Sequence, residues 1–234
     1  MFETSKGIVL KVTQYKDAQF IANVYTRDFG KIGFIIRKSK EQMILSQPLT
    51  IIEITYKQSN NKTLYYAKES SVEYAYTDLI FNNQKLNTSI ILCEILSLLL
   101  TEKNHELYNF VVNSLIWLDR TKTNYQGFIN LFLMKFCKIA GISPIVIDNN
   151  SYFLNIQEGV FQLNNNTNGA NNLVPQSESQ IIKQLCEMEF DDLKNYKTSS
   201  LLHDSVFNYI LEYISTHLSS LRSLNSVKII KELI

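Results

Sequence analysis

The sequence predicts an α+β chain with its strands first: a five-stranded antiparallel barrel over residues 1–80, then a mainly helical domain over 81–234 carrying a small β-hairpin insert. Two observations carry this. Apolar residues alternate with period two up to Tyr76, and beyond Asn82-Asn83 they recur with helical spacing. The Asn pair between the two regimes reads as the hinge.

Ile8, Leu10 and Val12 alternate with Val9, Lys11 and Thr13 in the first strand. After a polar turn at Tyr15-Lys16-Asp17, Phe20, Ala22, Val24 and Thr26 repeat the pattern. Gly30 suits the positive φ of a tight hairpin before the third strand, Ile32–Ile36. Pro48 suits a strand start, and LTIIEITY (49–56) supplies the fourth strand. The loop 58–62 then leads to a fifth, TLYYAKESSVEYAY. Five short strands with basic loops fit a small barrel of the oligonucleotide-binding (OB) type, and equally another small barrel.

Leu86, Ile90, Cys93 and Leu100 mark one face of a first helix; Leu107, Phe110, Val111, Leu115 and Leu118 mark a second. Phe128, Leu131, Phe132, Phe136 and Ile139 mark a third, stopped by Gly141 and Pro144. Tyr152–Ile156 and Val160–Leu163 flank Gln157-Glu158-Gly159, the hairpin of the insert. Helical spacing resumes at Ser179. Val206, Ile210, Tyr213, Ile214 and Leu218 form the clearest late helix, and NSVKIIKELI a short terminal one capped by Asn225 or Ser226.

Bulk charge singles out no partner, because 23 Lys and Arg face 22 Asp and Glu. Residues 1–76 nevertheless hold eleven bases against seven acids, and the remainder twelve against fifteen. Cys93, Cys137 and Cys186 lie far apart without a CxxC pair, the pattern of buried thiols in a reducing compartment. With no signal-like or spanning apolar run, a soluble cytoplasmic protein without a membrane partner is expected.

Catalytic signatures are missing: His105, His203 and His217 lie in unrelated contexts, and no glycine-rich phosphate loop is present. No enzyme is expected. The better lead is the basic first domain. Lys11, Lys16, Arg27, Lys31, Arg37, Lys38, Lys40, Lys57 and Lys62 occupy outward strand positions or loops, interleaved with Tyr15, Tyr25, Phe29, Phe34 and Tyr56. Cations can follow a phosphate backbone and exposed rings can stack on bases. The same pattern also fits core aromatics with lysines that serve solubility.

Gly7-Ile8-Val9-Leu10, Tyr15-Lys16-Asp17-Ala18, the hairpin Thr26–Lys31 and Gln47-Pro48-Leu49-Thr50 resemble the opening of the bacterial RecO family. Ser114–Leu118, Leu131–Phe136, Gly141–Pro144 and the ending His217-Leu218…Leu224-Asn225-Ser226 are similar to its second half. The resemblance implies an OB-fold followed by a helical domain, in a recombination mediator of DNA repair. Such a mediator binds single-stranded and duplex DNA, anneals complementary strands and helps load RecA onto DNA coated by single-stranded DNA-binding protein. The implied partners are RecR, RecF in some pathways, and the acidic, apolar-ended tail of the coating protein; the implied place is the cytoplasm, at the nucleoid.

On that reading Lys11, Lys16, Arg27, Lys31, Arg37, Lys38, Lys40, Tyr25 and Phe29 are the DNA-binding candidates. Arg120, Lys135 and Lys138, near the apolar third helix, are candidates for the partner tail. Some relatives hold zinc through four cysteines near residues 150–175; this chain has none there, so no cofactor is expected. The sequence departs from the family at Lys16, where a turn glycine is usual, at Asn225, and in a basic third loop reduced to Arg37, Lys38 and Lys40 beside Glu41. That shortened loop leaves a second reading open, an adaptor with little DNA affinity of its own.

Overall fold

The computed structural model describes residues 2–17, 19–37, 43–57, 64–122, 124–148, 152–163 and 172–218. Strands β1 (Phe2–Lys16), β2 (Gln19–Thr26), β3 (Gly30–Arg37), β4 (Ile51–Lys57) and β5 (Leu64–Tyr74) close into a barrel in the order β1-β2-β3-β5-β4. This is the expected OB-type barrel followed by helices. One pairing is parallel, β3 with β5, with Ile35 opposite Tyr66. Strand β1 serves twice: Phe2 to Ile8 pair with β4, and Gly7 to Lys16 with β2. A register shift between Val9 and Lys11 gives β1 the bend that closure needs.

Val9, Ala22, Val24, Phe34, Ile36, Ile52, Ile54 and Tyr56 fill the barrel, with Leu45 closing over them. Pro48 does not start a strand. The chain instead makes a 3-10 turn at Met43–Ser46, and Leu49 takes φ 62, a left-handed conformation that leucine rarely adopts. Two hydrogen bonds hold it: its N–H donates to Val9 O at 2.6 Å, and Tyr76 Oη donates to its carbonyl at 2.7 Å.

By contacts the chain divides into two units, 1–120 and 121–234, so the first unit contains the barrel and two helices, α1 (Asn83–Leu99) and α2 (His105–Arg120). Asn82 caps α1 by accepting from Gln84 N and Lys85 N. The buried face of α1 keeps Cys93 of the predicted stripe, and Leu100 at its C-cap is buried too, but the rest differs. It holds Lys85, Ser89, Leu92, Cys93, Ile95, Leu96 and Leu99, while Ile90 is 55% exposed. Apolar residues surround most of this helix, so spacing alone does not select a face.

Helices α1 and α2 cover part of the barrel's outer side. Cys93 Sγ donates to Leu10 O, Lys31 N to Thr101 O, and Tyr25 Oη to Glu102 O. Ile8, Val9 and Leu10 are consequently all buried, some against the barrel core and some against helices. At Gly30 (φ +75) a Cβ would come within 2.7 Å of Thr101 O, so the hairpin turn needs glycine both for its backbone and for this approach.

In the second unit α3 (Phe128–Ile139) packs with α4 (Gln176–Glu187) and α5 (Ser200–His217). Phe128, Leu131, Phe132 and Phe136 are buried as spacing predicts, as are Val206, Ile210, Tyr213 and Ile214 of α5. The hairpin forms as β7 (Phe153–Asn155) and β8 (Val160–Gln162), and β6 (Ile145–Val146) joins β8 in parallel. Tyr213 Oη donates to Ile142 O, ahead of β6, and His217 Nε2 bonds to Ile156 O, just after β7, tying α5 to the segments that flank this small sheet. The terminal helix expected around residues 225–234 lies outside the described residues.

Candidate nucleic-acid interface

Strand register decides which predicted cations meet. Gln19 pairs with Lys16 on one side and Arg37 on the other, so these two bases stand two strand spacings apart, about 10 Å, at one end of β2. Tyr15 joins them, 47% exposed, with Lys16 Nζ 5.3 Å from its ring centre. The turn holding Arg27 and Phe29 lies at the other end of β2, about 23 Å away along the strand. Arg27 and Phe29 are exposed there, but Asp28 accompanies them, held by Ser5 Oγ at 2.8 Å. Lys11 is exposed on β1 between the ends. The described members of the predicted set are therefore spread over the barrel and do not form one patch. Lys38, Lys40 and Lys62 lie outside the described residues.

Three predicted rings are corrected. Tyr25 points outward, as alternation requires, but lies fully buried beneath the α1–α2 connection, its hydroxyl on Glu102 O at 3.0 Å and its ring 6.3 Å from Tyr108. Burial also raises its pKa. No face of it is open to a base. Phe34 and Tyr56 belong to the barrel core, 5.2 Å apart edge to face, and burial pushes the Tyr56 hydroxyl up to about 12. Lys31 spends its ammonium on Ser97 O at 3.1 Å, and burial lowers its pKa.

Alternation did not single out three other residues: Phe2, Tyr66 and Lys68. Phe2 and Tyr66 expose over half their surface on the outer barrel face, and Lys68 Nζ sits 4.7 Å from the Phe2 ring centre. Strand-end position hid Phe2, and a register shift in β5 hid Lys68.

The three tail candidates do not gather on α3. Arg120 ends α2 in the first unit, its guanidinium 5.6 Å from the Tyr74 ring centre. Lys135 is mostly buried and ion-paired with Glu189 at 2.6 Å; Lys138 is exposed. The apolar residues of α3 from Phe128 to Phe136 are consumed by the core. An open apolar groove of about 520 Å³ occurs instead in the first unit, walled by Pro48, Leu49, Val72, Tyr74, Ile80 and Ile90. Its Tyr74 is the ring that carries Arg120.

Beside the groove lies a buried polar lock. The Asp119 carboxylate accepts from the backbone N–H groups of Thr77, Asp78 and Leu79 and from the Tyr74 hydroxyl. Burial opposes its ionisation, but these donors outweigh it and hold the pKa at about 2. Lys85, also buried, donates to Asp119 O at 3.1 Å and pairs with Asp78 at 2.8 Å.

Among the described residues no three His, Cys, Asp or Glu side chains come together as metal ligands, and no helix is long and apolar enough to cross a membrane. Cys93 and Cys137 are buried free thiols; burial pushes Cys93 up to about 12.

Two family models match the chain: "Recombination protein O N terminal" over residues 1–76 and "Recombination protein O C terminal" over 86–225. Whole-length relatives agree. A protein of Phocaeicola vulgatus named "DNA repair protein RecO" is 27% identical over 241 residues, covering 100% of this chain and 99% of that protein. Proteins of the same name from Flavobacterium psychrophilum and Porphyromonas gingivalis are 25% and 24% identical, covering 97% and 93% of each chain.

Proposed function

The chain belongs to the RecO family, with a role in DNA repair and recombination, and we propose from this premise that it is a mediator that binds single-stranded DNA and anneals complementary strands. In this role it helps RecA load onto DNA coated by single-stranded DNA-binding protein, in the cytoplasm at the nucleoid, with RecR and, in some pathways, RecF. No catalytic step is part of this reading: holding and handing over strands needs contacts to phosphates and bases, not a nucleophile or base.

The observation that supports it best is the pairing of Lys16 and Arg37 across Gln19, beside the exposed Tyr15. Two fixed cations and a ring at one barrel end can neutralise phosphates while a base stacks. The test is anisotropy of a labelled oligonucleotide from low to near-physiological salt. Affinity should fall steeply as salt rises, and Lys16→Ala with Arg37→Ala should flatten the slope; a salt-independent affinity overturns the phosphate contacts.

For the partner tail, the groove beside Arg120 offers what an acidic peptide with an apolar end requires, a cation next to an apolar cleft. Arg120→Glu should weaken binding of such a peptide, and Lys138→Glu should not. The adaptor reading draws on the same groove. If the purified chain accelerates annealing of complementary oligonucleotides only when partners are added, that reading replaces direct annealing.

A further inference from the structure

We infer that the outer barrel face where β3, β5, β4 and β1 run side by side is a stacking platform for the unpaired bases of one nucleic-acid strand, with Phe2 and Tyr66 as its rings. The inference rests on the DNA-binding reading and adds to it a surface and a form of ligand. Lys57, Lys68 and Arg37 supply the charge.

The geometry follows from the register. Phe2 of β1 stands opposite Lys57 of β4. Tyr56 stands opposite Ala67 of β5, which brings the next pair in an antiparallel ladder, Lys57 and Tyr66, together on the outer side. Tyr66 stands opposite Ile35 of β3, and Arg37 follows two residues later on the same face. The strip therefore runs Phe2, Lys57, Tyr66 and on to the β3 edge.

A β-bulge completes it. Thr55 pairs with Glu69 but Tyr56 with Ala67, so Lys68 is the extra residue, and Lys68 and Glu69 are both exposed. That displacement carries the Lys68 ammonium over the Phe2 ring, 4.7 Å from its centre. Its acidic neighbour Glu69 lies 3.2 Å from the same ammonium. Further along this face Lys6 is paired with Glu73 and Thr4 with Thr55, so the character changes from aromatic and basic to neutral.

Exposure gives the surface its meaning. Phe2 is 55% and Tyr66 52% exposed, whereas Tyr56 and Phe34, at inward positions of β4 and β3, are buried. The two exposed rings stand two strand spacings apart, about 10 Å, far enough for each to take its own base. Flat faces spaced this way among cations fit unpaired bases. A duplex hides its base faces inside the stack and offers these rings nothing.

The test compares the full chain with Phe2→Leu/Tyr66→Leu, which keeps apolar bulk at both sites but removes both rings. The probes are labelled oligothymidylate, an abasic strand of equal length, and a duplex. The double variant is expected to lose at least tenfold on oligothymidylate, with less than twofold change on the abasic strand and the duplex, and Tyr66→Phe is expected to bind as the wild type does. Unchanged oligothymidylate binding by the double variant overturns the platform and leaves the DNA-binding reading standing. An equal loss on the abasic strand also overturns it, because stacking needs bases. Failure of the wild-type chain to bind any probe overturns both.

Discussion

Two regions of the barrel's outer side have the same strand pattern and opposite fates. Around Tyr25 and Ile8 the outward side chains lie under α1 and α2; around Phe2 and Tyr66 they stand open. Alternation is identical in both, since the pleat fixes only which side of the sheet a residue takes. What that side meets is decided by segments distant in the chain. The covered region buries its apolar side chains, and the open one leaves Phe2 and Tyr66 exposed to solvent.

The strongest way to break this comparison is at the lock that joins the end of α2 to the chain after β5. Asp119→Ala strands three N–H donors, that of Leu79 buried, and the Tyr74 hydroxyl, and should cost about 3–5 kcal/mol of unfolding free energy in urea melts. A loss under about 1 kcal/mol would mean that the covered face is held elsewhere. Acid acts on the same group. Its folded pKa, about 2, lies below the ordinary 3.8, so its stabilisation is full above pH 4 and disappears as pH falls from about 4 to 2. That contribution is about 2 kcal/mol, and an Asp119→Asn chain should lack this step in its pH–stability curve.

A smaller effect sharpens the contrast. Tyr25→Phe removes one hydroxyl bond under the helices and should cost about 1 kcal/mol while leaving oligonucleotide affinity unchanged. The mirror image is Tyr66→Leu in the open region, which should change stability by less than about 0.5 kcal/mol. If Tyr25→Phe altered affinity and not stability, the assignment of the two faces would be reversed.

Much of the fold was legible in the sequence because its signals are local. Gly30 adopts the positive φ its hairpin needs, and Gly141 (φ +74) ends α3 with Ile142 N bonded to Cys137 O, as the glycine before Pro144 suggested. The Tyr152–Leu163 hairpin also formed where its turn residues placed it. The site was less legible. Tyr25 and Lys31 look available in sequence because the helices that engage them lie some seventy residues further on. Ile90 matched the helical stripe of α1 yet lines an open groove, because the buried face was set by Lys85 reaching Asp119 and Cys93 reaching Leu10. Phe2 and Lys68 depended on cross-strand register and a bulge, neither of which period-two counting resolves.

The dual pairing of β1 has a consequence for synthesis. Its first residues pair only when Lys57 has been made, and the outward side chains Ile8, Leu10 and Tyr25 are covered only when α1 and α2 follow. At about 5–20 residues per second, the stretch from Tyr25 to the end of α2 takes about 5–20 s to emerge. Through that interval a growing chain carries an apolar surface with no cover. Substitutions that weaken the α1–α2 hairpin should therefore register first as lost yield of folded chain, before any change in what the surviving molecules bind.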